Sequence, residues 1–198
     1  MVPTEELEDA GRGARWHKRL LAIVPAVVLI GLLVYGFLAE ADRSGPRRLP
    51  DFELPLVGGG TITDEDLAGG PVVLNFWASW CGPCRLEAPA LQAAAERYSS
   101  QGVRFVGVVV LDSEEAAVGF IEEFGITYEN VLDTQGVISD ELFDFFGLPR
   151  TYFLRSDGSL LAESSTRKVG SRGEADILGP ITEEELERRV EELIDAEG

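Results

Sequence analysis

The chain has 198 residues and 45% hydrophobic content, enough for one globular domain plus a short extra segment. Its 35 acidic residues against 17 basic ones give a formal charge of −18, which argues against nucleic acid or an anionic lipid surface as the main partner of the globular part. A solvated acidic surface accounts for that charge first, and a basic partner second.

Residues 1–19 are polar, too short for a core, and read as a cytoplasmic tail. Leu20 to Ala39 then runs for 20 residues without a charge. As a helix it spans roughly 30 Å, the hydrocarbon thickness of a bilayer, so 20–39 is expected to be a transmembrane anchor. Pro25 and two glycines are tolerable there, and Tyr35 is placed as an interfacial anchor. Lys18 and Arg19 flank the N-terminal side, which favours a cytoplasmic N-terminus and an extracytoplasmic globular part. The rival is a cleaved signal peptide: Ala39-Glu40-Ala41 has the A-x-A form, although the apolar run exceeds the usual ~7–15 residues. Residues 40–49 form a polar linker containing Gly and Pro, and 50–198 form the globular domain.

Asp51 to Val57 reads as a short strand, turned back at Gly58-Gly59-Gly60 through Thr61-Ile62-Thr63. A brief helical turn follows from Asp64 to Leu67. Pro71 to Ala78 has the unbroken apolar character of a strand buried on both faces. A helix from Gly82 or Pro83 to about Ser99 is expected to bury Leu86, Ala90, Leu91, Ala94 and Ala95 as one stripe, with Pro89 kinking it. Val103 to Leu111 is a second central strand. Ser113 caps a helix that reaches Phe124 and is closed by Gly125. Tyr128 to Leu132 forms a minor strand, and Val137 to Phe146 a short helix before Gly147. Arg150 to Arg155 pairs as a hairpin with Leu160 to Ser164 across Ser156-Asp157-Gly158. Arg167 to Gly179 is loop. Thr182 caps a last helix, with Glu183, Glu184 and Glu185 in the first turn, the sign the macrodipole prefers. Strand and helix alternate and a hairpin plus helix closes the chain, which predicts an α/β fold with a central mixed β-sheet flanked by helices.

The chemistry concentrates at Trp80-Cys81-Gly82-Pro83-Cys84, which holds the chain's two cysteines. The apolar strand leads into it and the helix leads out, so Cys81 stands at the helix start. Unpaired N–H groups and the positive end of the macrodipole stabilise a sulfur anion there, lowering its pKa from roughly 8.5 toward 7 or below. Cys84, one turn further in, is placed to attack a mixed disulfide on Cys81 and release the substrate. Pro83 sits in the first turn, where its missing N–H costs nothing, and Gly82 keeps the approach to Cys81 open. A zinc site needs two further Cys or His ligands, and the single histidine, His17, lies beyond the apolar segment. A c-type haem site needs His at the position of Arg85. No metal and no cofactor are therefore expected. A structural disulfide is the remaining alternative to a redox dithiol.

Asn75-Phe76-Trp77-Ala78-Ser79 with the dithiol motif, and Gly147-Leu148-Pro149-Arg150-Thr151-Tyr152-Phe153, resemble the thioredoxin superfamily. Asp51-Phe52-Glu53-Leu54-Pro55, Cys84-Arg85-Leu86-Glu87-Ala88-Pro89, Val131-Leu132-Asp133 and Gly179 to Leu186 are most similar to its membrane-anchored TlpA/ResA/CcmG (DsbE) group. The resemblance covers about residues 50–194. It implies a thioredoxin-like fold, a cis bond before Pro149 facing the dithiol, and a Leu148 backbone that bonds an extended substrate. It also implies reductase activity serving cytochrome c biogenesis and related tasks. Asn75 departs from ordinary thioredoxins, which carry a buried Asp there. The group's glutamate is matched by Glu87, and i,i+3 spacing independently puts Glu87 on the face of Cys84. Glu87 is thus expected to accept or supply the Cys84 proton; a favourable first-turn charge is its plainer reading. Arg150 is a second departure, expected to add positive charge near the site.

These residues lead to a membrane-tethered reductase of protein disulfides, with Cys81, Cys84 and Glu87 catalytic and Trp80, Gly82, Pro83, Leu148 and Pro149 facing the substrate. Its partners would be a disulfide-containing protein, apocytochrome c among the candidates, and a transmembrane thiol donor of electrons. The Gly82-Pro83 dipeptide, similar to that of thioredoxin, favours the reducing direction. A peroxiredoxin-type peroxidase is an alternative, although it needs a Thr where Ala78 stands. A non-enzymatic tethered module that captures a partner chain is the other.

Overall fold

The computed structural model describes residues 25, 27–32, 35, 48–142, 147–161 and 176–198. The chain divides into two compact units, Met1–Gly45 and Pro46–Gly198. Of the expected anchor, only residues 25, 27–32 and 35 are described, all helical. The rest of that stretch, the tail and most of the linker lie outside the described residues. Among the described residues no helix is long and apolar enough to cross a membrane.

The second unit opens with a hairpin, β1 (Glu53–Pro55) and β2 (Thr61–Thr63), paired antiparallel. It is joined to the main sheet by a bridge from Leu56 to Val131 and by Val57 N–H donating to Asn130 C=O at 2.8 Å. There follow β3 (Val72–Trp77), α1 (Gly82–Tyr98), β4 (Arg104–Val110), α2 (Glu114–Phe124), β5 (Glu129–Asp133), α3 (Ser139–Leu142), β6 (Arg150–Leu154), β7 (Asp176–Leu178) and α4 (Glu183–Asp195). The sheet order is β5-β4-β3-β6-β7. β3, β4 and β5 run parallel, and β6 and β7 are antiparallel to their neighbours. This is the expected mixed sheet with helices.

β3 is central, and every residue of it is buried. Side chains alternate across a strand. Val72, Leu74 and Phe76 therefore enter one core with Leu54, Val106, Val108, Tyr152 and Leu154. Val73 faces the other core, where Leu91 and Tyr98 of α1 meet Leu186, Val190 and Leu193 of α4. Trp77 lies on that second side too, in a cluster with Cys81, Cys84, Val109 and Phe120. Trp77 stacks on Phe120 at 4.3 Å between ring centroids and donates its Nε1–H to Asn130 Oδ1 at 3.0 Å. Gly107 of β4 makes room for that bond: a Cβ there would collide with Asn130 Oδ1 and stand 2.6 Å from Trp77 Nε1.

Several expectations are revised. Leu86 is 76% exposed, because the inward face of α1 is taken by Cys84, Glu87, Ala88 and Leu91. Ala90 is only half-buried. The residues from Glu129 to Asp133 form a full edge strand of the sheet rather than a minor one. The hairpin expected after β6 begins, with Leu161 N–H donating to Phe153 C=O at 2.7 Å, but residues 162–164 lie outside the described residues. The strand that pairs along β6 is instead β7, from within the stretch read as loop. It is short and carries too little pattern to be told from loop. Of the helix expected over 137–146, Ser139–Leu142 is helical and 143–146 lie outside the described residues. The caps hold as expected: Ser113 Oγ accepts from Ala116 N–H and Thr182 Oγ1 from Glu185 N–H, both at 3.2 Å.

Candidate active site

The dithiol stands where central strand β3 turns into α1. Cys81 is the N-cap, with extended backbone, and its sulfur accepts the Cys84 N–H at 3.2 Å. Gly82 opens the helix and Pro83 follows in its first turn. The two cysteines are joined as a disulfide, with Cα atoms 5.3 Å apart. Cys84 is 1% and Cys81 4% exposed, while Trp80, Gly82 and Pro83 around them are exposed. A nucleophile arriving from solvent, or a substrate sulfur, meets the Cys81 side. The helix N-terminus then favours the anion that leaves or attacks there.

Two residues that the sequence did not single out hold the turn in place. Asp112, just past β4, accepts the Ser79 N–H on Oδ2 at 2.6 Å and the Ser113 N–H on Oδ1 at 2.8 Å. Trp80 donates its Nε1–H to the Leu111 carbonyl at 3.1 Å. Leu111 has φ +51°, left-handed backbone that costs a non-glycine residue about 1–2 kcal/mol, and its side chain is 60% exposed. The β4–α2 corner is therefore strained and pinned beside the dithiol. The sequence signal was a lone acid, Asp112, between an apolar strand and the Ser113 cap, where only Ser113 was given a role.

Glu87 lies one turn beyond Cys84 on the buried face of α1 and is 2% exposed. Both carboxylate oxygens are held. Oε1 accepts from Asn75 Nδ2 at 2.8 Å, and Oε2 from the Ile181 N–H at 2.9 Å. Asn75 gives its other N–H to Thr151 Oγ1 at 3.1 Å. Burial pushes the Glu87 pKa up from 4.5 to about 7, and the bonds from Ile181 and Asn75 limit the rise. Tyr128 feels the same site: burial and the Glu87 charge both push its phenol up. A carboxyl that changes protonation near neutrality, one helical turn from a buried cysteine on the same face, has the pKa of a proton acceptor for it.

The Leu148–Pro149 bond is cis, as expected. Leu148 packs against the cluster that contains both cysteines, and the Pro149 carbonyl accepts from Gly179 N–H at 2.9 Å. Arg150 requires correction. It is 4% exposed, and it pairs in register with Phe76. It therefore shares the Phe76 side of the sheet, away from Asn75 and α1. Strand alternation thus roots its buried side chain on the sheet face opposite α1, so it is not the exposed charge at the substrate rim that its place after Pro149 suggested.

Residues 46–162 match the AhpC/TSA family. The thiol-disulfide oxidoreductase ResA of Bacillus subtilis is 32% identical over 151 residues, 73% of this chain and 84% of its own length. The thiol:disulfide interchange protein DsbE of Pseudomonas fluorescens is 34% identical over 150 residues, 71% of this chain and 82% of its own. A secreted Mycobacterium tuberculosis disulfide oxidoreductase, described as homologous to DsbE, superposes with a TM-score of 0.59 at 27% identity, over 72% of this chain and 96% of that one. With the thioredoxin-like sheet and the dithiol at its central strand end, these likenesses show that the chain belongs to the AhpC/TSA family and, within it, to the thiol-disulfide oxidoreductases of the ResA and DsbE type.

Proposed function

We propose that this enzyme is a membrane-tethered, extracytoplasmic reductase of protein disulfides that serves cytochrome c biogenesis. The Cys81 thiolate attacks a substrate disulfide, and the first substrate sulfur leaves as a thiolate and takes a proton from solvent. Cys84 passes its proton to Glu87 and attacks the Cys81 sulfur. That step releases the second substrate thiolate and leaves the Cys81–Cys84 disulfide. Two electrons pass from the dithiol to the substrate; the first substrate thiolate takes its proton from solvent, and the second takes back from Glu87 the proton that Cys84 gave up. A thiol donor in the membrane returns the enzyme to the dithiol form. Trp80, Gly82 and Pro83 border the attack site, and the Leu148 backbone ahead of Pro149 aligns the substrate chain.

The observation that carries this reading is the buried Glu87 carboxyl, one turn from a buried Cys84 on the helix that Cys81 caps. The uncharged 20–39 stretch after Lys18-Arg19 supports the tether and its orientation. The relative from Mycobacterium tuberculosis is described as secreted, which supports the same side of the membrane. The resemblance to the TlpA/ResA/CcmG group supports the biogenesis role.

The test is capture. Cys84→Ser in the full chain should hold substrates on Cys81 as mixed disulfides that vanish on adding a reductant. Apocytochrome c among them supports the pathway, and its absence from a full set of captured proteins overturns it. A cysteine placed at Ser44 should react with an impermeant thiol reagent in intact cells; labelling only after lysis overturns the topology.

A further inference from the structure

Asn75 lies on central strand β3, 3% exposed, between helix α1 and the neighbouring strand β6. Its side-chain nitrogen touches Glu87 Oε1 at 2.8 Å and Thr151 Oγ1 at 3.1 Å. An ionised carboxylate only accepts, so the amide nitrogen, not its oxygen, must face Glu87. The Thr151 hydroxyl, on the strand antiparallel to β3, accepts the second N–H and holds the amide in that orientation. On its other side the carboxylate meets the Ile181 N–H. Among the described residues, Cys84 stands one turn away on the same buried helix face, and Tyr128 feels the Glu87 charge.

We propose that Asn75, oriented by Thr151, is the positioning residue for the proton acceptor: it aims Glu87 and sets the pH at which Glu87 can take the Cys84 proton. The proposal deepens the reductase reading and rests on it. A buried carboxylate without hydrogen bonds stays protonated to higher pH, so each donor extends the range over which Glu87 is a base. The geometry also makes acid and amide exchangeable. Asn75→Asp combined with Glu87→Gln keeps the contact between strand and helix with its polarity reversed. The amide, now on α1, would accept from Ile181 N–H and donate to the carboxylate, now on β3. Asn75→Asp alone would instead place a second carboxylate against Glu87, and the two cannot both ionise readily.

The test is the pH dependence of the resolving step, read by stopped-flow with the full chain and a model protein disulfide. Asn75→Leu should shift the acid limb upward by about one pH unit, lowering the rate roughly five-fold at pH 7 and little at pH 9. Thr151→Val should shift it in the same direction by less. Asn75→Asp alone should shift it upward further than Asn75→Leu. Asn75→Asp combined with Glu87→Gln should recover part of the rate that Glu87→Gln alone loses. A uniform slowing across pH in Asn75→Leu, with no recovery in the exchange variant, overturns the proposal. If Glu87→Gln alone equals the parent, the proton role of Glu87 fails, which is a different result. Far-UV circular dichroism and thermal melts check each fold, and an unfolded Asn75→Leu leaves Thr151→Val and the exchange variant to decide.

Discussion

Helices α1 and α4 pack on the same face of the sheet and share one core, yet they are built in opposite ways. In α4, Leu186, Val190 and Leu193 point inward, while Glu185, Arg188 and Glu192 form ion pairs outside. Its one buried charge, Arg189, lies over the Phe153 ring at 4.9 Å and bonds Glu192. In α1 the inward face carries Cys84, Glu87 and Gln92 among its alanines and leucine, and the outward face carries Leu86, Pro89 and Ala93. A helix that only had to hold the fold would place these the other way round. Gln92 ties α1 to Thr127 through bonds in both directions at 2.9 Å, Cys84 and Glu87 are the groups the proposed reaction uses, and Leu86 outside is next to Gly82 and Pro83 by i,i+4 and i,i+3 spacing.

The widest gap between the helices lies in what a cysteine change does. Cys81→Ser should reduce disulfide reduction to the uncatalysed background while leaving the melting temperature of the reduced protein unchanged within a few degrees. An activity assay beside a thermal melt checks both.

On α4 the loss should be of stability alone. Leu186 is fully buried, and Leu186→Ala should cost about 2–5 kcal/mol in urea unfolding. The pH profile of the protein that remains folded should match the parent. A changed profile would mean that α4 is part of the site.

Glu87 should oppose stability once it ionises, because its carboxyl is buried. The folded protein keeps its proton up to about pH 7, whereas the unfolded chain releases it near 4.5. Between those values the native state binds more protons, so this group's contribution falls as pH rises from 4.5 to 7 and is level above. A rise of about 2.5 pH units corresponds to something on the order of 3 kcal/mol. Glu87→Gln should therefore gain stability relative to the parent at pH 8 but not at pH 4.5. Equal differences at the two pH values would contradict the burial of an ionising carboxyl.

The smallest effect is expected at Leu86. Being 76% exposed, Leu86→Ser should change stability by no more than about 0.5 kcal/mol. It should raise KM for a protein disulfide a few-fold, with kcat and the reduction of a small disulfide unchanged. An unchanged KM for both would remove Leu86 from the substrate surface.

The same contrast shows what could be read from the sequence. Residues obeying ordinary periodicity were legible: buried β3, capped α2, and α4 with its charged first turn. The dithiol was legible through local motif and spacing, the buried placement of Glu87 through i,i+3 spacing and the resemblance, and the cis bond before Pro149 through the resemblance alone. Leu86 was misplaced because the apolar-stripe argument assumes polar residues face water, and in α1 Glu87 and Gln92 take the inward face. Arg150 was misplaced because neighbouring residues of a strand face opposite layers, so closeness to Pro149 in the chain says little about closeness to the dithiol. Asn75 was noted only as an acid that is missing. Its contact with Glu87 joins β3 to α1 across 12 positions, and that of Ile181 spans 94. Tertiary pairings of that kind have no local signature, and the same holds for Asp112 reaching back to Ser79.

The most direct measurement is the resolving rate of the mixed disulfide, followed by stopped-flow from pH 5 to 10 in the parent and in Glu87→Gln. The parent rate should climb through an apparent pKa near 7, the value burial gives Glu87, as the carboxylate becomes able to take the Cys84 proton. Glu87→Gln should lack that climb and run slower by up to about 10²-fold, with the first attack by Cys81 unchanged. Superimposable profiles for the two proteins would contradict the account and leave Glu87 as a buried charge with no part in the transfer.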